Sequence, residues 1–152
     1  MALLAMTQFG RALVSLEPRL ALAESLDAVL HLCAIGRLPV WSPWPMLRDA
    51  PDVLRSWDIT SDSLSLWLVR ALSVPRLLLV KHCTIYPAMA GLDPAICATT
   101  LECHSLVSTG ILDPAFPRYL DGYTGTVHIA GPDHLPATGI DLANPPGHRL
   151  PA

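Results

Sequence analysis

The sequence predicts an α/β layered domain with a mainly parallel sheet. Amphipathic segments of helical spacing alternate with short hydrophobic runs along most of the chain. One of those runs, "RLLLVKHC" from Arg76 to Cys83, is continuous and follows a proline, as a central parallel strand would. The 152 residues suffice for one domain with a real core, which sets the expected organisation as a single unit over 1–152.

The elements follow in order. Met1 to Leu16 places Leu3, Leu4, Met6, Phe9, Leu13 and Leu16 close to helical spacing and leaves Gln8 and Arg11 for a wetter edge. Leu26 to Ile35 repeats the pattern and stops at Gly36, after which "RLPVW" reads as a short strand. "SPWPMLRDAPDVLRS" holds three prolines and reads as a loop with at most one helical turn. In "WDITSDSLSLWLVRAL", Trp57 to Leu72, an apolar stripe of Leu64, Trp67, Leu68, Ala71 and Leu72 predicts a buried helix with Trp67 in the core. Pro94 to Ser108 reads as a further helix ended by Gly110, "TGTVHIAG" as a strand, and "PDHLPATGI" as a short helix or turn.

Composition narrows the function. Half the residues are hydrophobic and 15% are charged, which favours two-sided burial of some elements or a homo-oligomer interface. No apolar run reaches the length of a membrane span, and no basic leader of a secreted protein precedes the first helix, so the expected location is cytoplasmic with no membrane partner. A net charge of −3 without any Lys/Arg cluster argues against nucleic acid. Cys33, Cys83, Cys97 and Cys103 read as buried thiols; a zinc site from His82, Cys97, Cys103 and His104 has a spacing outside the usual zinc patterns, and no metal is assigned. A serine hydrolase is disfavoured by the lack of a G-x-S-x-G elbow.

One polar cluster stands out. Thr60 or Ser61 suits the N-cap of the helix, and Asp62 in its first turn faces the positive end of the helix dipole. A well-capped helix alone would explain these residues. However, the chain's only lysine, Lys81, set against nine arginines, closes the apolar strand that follows, and ligands gather at the carboxyl ends of strands in open α/β sheets. A compact ammonium there suits a phosphate contact, and helix N-termini suit phosphate as well.

"WDITSDSLSLWLVRAL", then "RLLLVK", then "GILDPAFP" at Gly110 to Pro117 resemble the C-terminal part of the amino acid kinase superfamily, the aspartate/glutamate/uridylate kinases. Within it the chain most resembles the aminomethylfuran-phosphate kinase-like proteins of methanofuran and tetrahydromethanopterin pathways, from "ALLAM" through "PVWSPWPM" to "PPGHRL". The resemblance implies a three-layer αβα sandwich and transfer of a phosphoryl group from ATP, with Mg2+, to a small-molecule phosphate or carboxylate acceptor in one-carbon metabolism. It implies that Asp62 orients catalytic lysines, that Thr60 and Ser61 approach the acceptor and the transferred phosphate, and that Lys81, Asp113 and Pro114 border the nucleotide.

The departures are as informative. Family members begin with a strand and a Lys-x-Gly-Gly loop that grips the phosphates; this sequence has neither, and no Gly-Gly pair anywhere. The expectation is therefore a domain whose N-terminal strands are missing and whose kinase activity alone is poor, because electrostatic stabilisation of the transferring group is most of the catalysis. The alternative is a non-catalytic ligand-binding or assembly subunit of the same fold.

Overall fold

In the computed structural model, which describes residues 2–53, 55–85, 103–141 and 143–150, the chain divides into two units, Met1–Leu54 and Arg55–Ala152. The first is built from α1 (Ala2–Leu16), β1 (Leu20–Ala23), α2 (Leu26–Ala34), β2 (Leu38–Trp41) and the single turn α3 (Trp44–Leu47). β1 and β2 run parallel in register from Leu20↔Leu38 to Ala23↔Trp41. Ser25 caps α2 by accepting the Ala28 N–H at 3.1 Å, and the helix stops at Gly36, whose φ of 72° lets the amides of Gly36 and Arg37 return to the carbonyls of Cys33 and Leu32.

The inward side of α1 differs from the expected one. Thr7 and Gly10 are buried, whereas Phe9 and Leu16 are exposed. Gly10 lies so close to the sheet that a Cβ there would stand 3.2 Å from Val40 Cγ1, and Thr7 meets the fully buried Ser42 hydroxyl at 3.0 Å. A small residue and a paired hydroxyl fit the tight helix–sheet gap, which leaves three large apolar side chains, Leu4, Phe9 and Leu16, outside.

The second unit holds α4 (Ser61–Ala71), β3 (Arg76–Val80), α5 (Cys103–Ser108), α6 (Phe116–Leu120), β4 (Thr126–Ala130), a 3-10 turn at Pro132–His134 and β5 (His148–Leu150). β4 lies between its neighbours, parallel to β3 and antiparallel to β5. The register sets Leu77 against Val127 and Leu79 against Ile129, and these four join Leu64, Leu66, Leu106 and Phe116 in the core. α4 ends on Ser73 at φ 54°, with the Ser73 and Val74 amides returning to Arg70 and Val69. The Arg70 guanidinium then donates to the carbonyls of Tyr119 and Asp121 at 3.0 and 3.1 Å, tying α4 to the end of α6.

The chain is thus mixed α/β with two small sheets, one parallel and one mixed, where the sequence suggested one mainly parallel sheet. β1, β5 and α6 are the elements that spacing did not reveal. The buried face of α4 is also turned: Asp62, Ser63, Leu64 and Leu66 are buried, Trp67 is half-buried rather than core, and Ala71 is exposed. No helix among the described residues is long and apolar enough to cross a membrane. The helix expected over Pro94 to Ser108 is present as α5 from Cys103; residues 94–102 lie outside the described ones.

Candidate functional site

A cavity of about 580 Å3 opens in the second unit, where the C-terminal end of β3, the N-terminal turn of α4 and the segment between α5 and α6 converge. Its lining includes all six residues singled out in the sequence: Thr60, Ser61, Asp62, Lys81, Asp113 and Pro114. The volume is in the range of small-molecule sites.

Each wall has a local cause. Lys81 follows the last residue of β3, and its amide donates to the Ala130 carbonyl at 2.8 Å, so its side chain leaves the sheet at the strand's carboxyl end. Its ammonium donates to Asp62 Oδ2 at 2.6 Å, and both side chains are largely covered, 14% and 12% exposed. A pair at this depth holds firmly only when the geometry is good, and losing one partner strands a charge in a poorly solvated place. The other carboxylate oxygen of Asp62 meets no partner among the described residues, and neither do the amides of Ser61 and Asp62, which belong to the first helical turn and have no preceding helical carbonyl.

Capping of α4 is not done as the sequence suggests. Thr60 is the N-cap, yet its hydroxyl makes no bond to its own helix. The cap comes from Asp113, 5% exposed, whose carboxylate accepts the Thr60 amide at 2.9 Å, the Thr60 hydroxyl at 2.9 Å, the Ser63 amide at 3.0 Å and the Ser63 hydroxyl. Four bonds to one carboxylate occupy it within the protein and complement the helix dipole. The part played by Ser63, fully buried, escaped the sequence reading, as did the place of His82, Cys83 and the Thr109–Leu112 segment in the wall. Asp113 and Ser63 are 50 residues apart, and nothing in local spacing links them.

Gly110 has φ 73° and turns the chain at the end of α5, with its amide and that of Ile111 returning to Val107 and Leu106, so the wall folds back at a glycine suited to it. Burial, and then the nearby Asp113 carboxylate, push the Cys103 thiol up from its ordinary range, so it stays protonated and unreactive near neutral pH. Among the described residues Cys33, Cys83 and Cys103 are free thiols, and no cluster of three or more His, Cys, Asp or Glu could hold a metal; Cys97, one member of the zinc alternative, lies outside them.

Among the described residues the arrangement offers one ammonium, two unpartnered helix-terminal amides, the Ser61 hydroxyl and one unpartnered carboxylate oxygen around a cavity of ligand size, while the Thr60 hydroxyl is already given to Asp113. Chemically it suits an anionic, oxygen-rich ligand. No protein-family model matches the chain, and no curated protein matches it.

Proposed function

We propose that the second unit binds a phosphorylated small molecule, foremost a nucleotide with magnesium, as a phosphotransferase-type site. The observation that carries this reading is the Lys81–Asp62 pair in the lining of the 580 Å3 cavity, beside the amides of the α4 N-terminus that have no partner among the described residues. Phosphate oxygens would take Lys81 and the amides of Ser61 and Asp62, while Thr60 and Ser61 would face the acceptor. The Asp62 oxygen that has no partner among the described residues would suit a magnesium ion, which when bound with ATP neutralises phosphate charge. Pro114 would border the nucleotide, and Asp113 would act from behind the wall. The parallel β3–β4 pair and its neighbouring α4 support the finer fold that goes with this reading, the three-layer αβα sandwich of the amino acid kinases.

A second reading, binding without catalysis, has its own support. The described lining of the cavity carries a single side chain of fixed positive charge, Lys81, and a phosphoryl-transfer site needs more. An unpaired, exposed Cys33 suits a reducing cytoplasm, and the exposed apolar side chains of α1 suit a homo-oligomer.

Thermal melting with and without magnesium-ATP tests the first claim. The wild-type midpoint should rise by several degrees at millimolar ATP, as for any ligand far above its dissociation constant, and Lys81→Met should abolish the rise. An unshifted wild type overturns phosphate binding. Release of ADP during incubation with candidate acceptors then separates the phosphotransferase from the non-catalytic reading.

A further inference from the structure

Two carboxylates stand near the start of α4, both buried, yet only one faces the ligand chemistry. Asp62 holds the ammonium of Lys81; Asp113 holds the helix itself. Thr60 and Ser63 bracket Asp62 in sequence, and each gives both its amide and its hydroxyl to Asp113. A helical turn anchored on both sides of a residue has little freedom to rotate that residue. Lys81, for its part, is fixed through its amide to β4. A second tie, the Ala115 amide to the Asp58 carbonyl at 3.0 Å, runs between the same two segments.

We propose that Asp113 is the positioning residue of this site: it clasps the first turn of α4 to the Thr109–Pro114 wall and thereby seats Asp62 against Lys81. A 2.6 Å ion pair is sensitive to displacement, so a clasp that holds the helix turn also holds the ammonium in place. Replacing the carboxylate by an amide of the same shape sets an NH2 group against donors that need an acceptor, which opens the clasp without creating a cavity. The inference takes its functional meaning from the phosphate reading above, but its consequence is present in the protein without any ligand, so the two can fail separately.

Lys81 is the only lysine, which makes amine acylation a reporter of this one pair once the tryptic fragment that contains it is weighed. Full-length wild type, Asp113→Asn, Ser63→Ala and the core control Ile129→Val would be pulsed with an acylating ester well below their melting temperatures, with helix content checked by circular dichroism. Asp113→Asn should label Lys81 at least tenfold faster than wild type and Ser63→Ala several-fold faster, whereas Ile129→Val should stay within twofold despite its lower stability. Wild-type labelling in Asp113→Asn, or equal acceleration in Ile129→Val, overturns the proposal and leaves Asp113 as an ordinary cap. If Asp113→Asn fails to fold, Ser63→Ala decides: acceleration supports the clasp and a wild-type rate refutes it.

Discussion

The chain has two phenylalanines, Phe9 in the first unit and Phe116 in the second, and one is 67% exposed while the other is wholly buried. Their side chains are identical, so the surroundings make the difference. Phe116 opens α6 in a unit whose described residues include three helices and three strands that supply apolar side chains, among them Leu64, Leu66, Leu106, Val127 and Ile129. Phe9 belongs to a unit with a two-stranded sheet, whose strands are spaced by only about 5 Å. A sheet that narrow covers one side of a helix and no more. Ala23, Val29 and Leu47 are the buried apolar residues described there, while Leu4, Phe9, Leu16, Leu30, Ile35, Leu38 and Trp44 are exposed. Apolar content measures how much surface seeks burial; the number of layers sets how much can obtain it.

The sharpest test of that contrast substitutes both phenylalanines. Phe116→Ala should cost about 3–5 kcal/mol and Phe9→Ala less than about 0.5 kcal/mol in denaturant unfolding. Comparable losses would mean that Phe9 is covered in solution. A smaller effect comes from acid. His128, beside Arg149, and His148, edge-on to His134 at 4.8 Å between ring centroids, each keep a buried ring nitrogen without a partner among the described residues. Burial is the larger cause that holds both imidazoles below the ordinary 6.5, with Arg149 and His134 respectively adding to it. Both are therefore neutral near pH 7 in the folded state, and the unfolded chain binds protons more readily, so their contribution is present above about pH 6.5 and is lost as pH falls below it. Calorimetry between pH 7 and pH 5 should show the second unit's melting temperature dropping, with a flatter profile in His128→Leu; an unchanged slope would remove His128 from the explanation.

The smallest effect lies at a helix end. α2, α4 and α5 stop with the same pair of returning amides, on Gly36, Ser73 and Gly110, and Ser73 alone carries a side chain at positive φ. Ser73→Gly should stabilise the second unit by about 0.5 kcal/mol, the relief of left-handed strain being partly offset by the greater freedom of glycine when unfolded. A destabilised variant would show that the serine side chain contributes more than the strain removes.

Much of this was legible. Caps and periodicity reveal α1, α2 and α4, the glycine stops at Gly36 and Gly110 stand at the helix ends they predict, and β2, β3 and β4 lie in the apolar runs that suggest them. β1 is hidden because "LALA" has no β-branched residue and the composition of a helix; only its pairing with β2 makes it a strand. β5 is three residues of a Pro- and Gly-rich tail that owe their conformation to β4. α6 is masked by Pro117, which its first turn tolerates. At the site, the lone lysine at a strand end and the acid in a helix's first turn each stand out in the sequence, but their direct pairing across 19 residues does not. The role of Asp113 did not show, since a cap supplied from 50 residues away leaves no local trace.

The tight seat of Gly10 and the hydroxyl contact between Thr7 and Ser42 bear on how α1 is phased about its own axis. Leu3, Thr7, Gly10 and Val14 repeat with intervals of four, three and four residues, and so do Ala5, Phe9, Ala12 and Leu16 on another side of the helix. Two stripes of equal period leave periodicity unable to choose between them, and the choice falls to one missing side chain and one hydroxyl. Rolling α1 until Phe9 met the sheet would swing Gly10 out of its seat and part Thr7 from Ser42. The greasy stripe is therefore held outward by the same two residues that dock the helix.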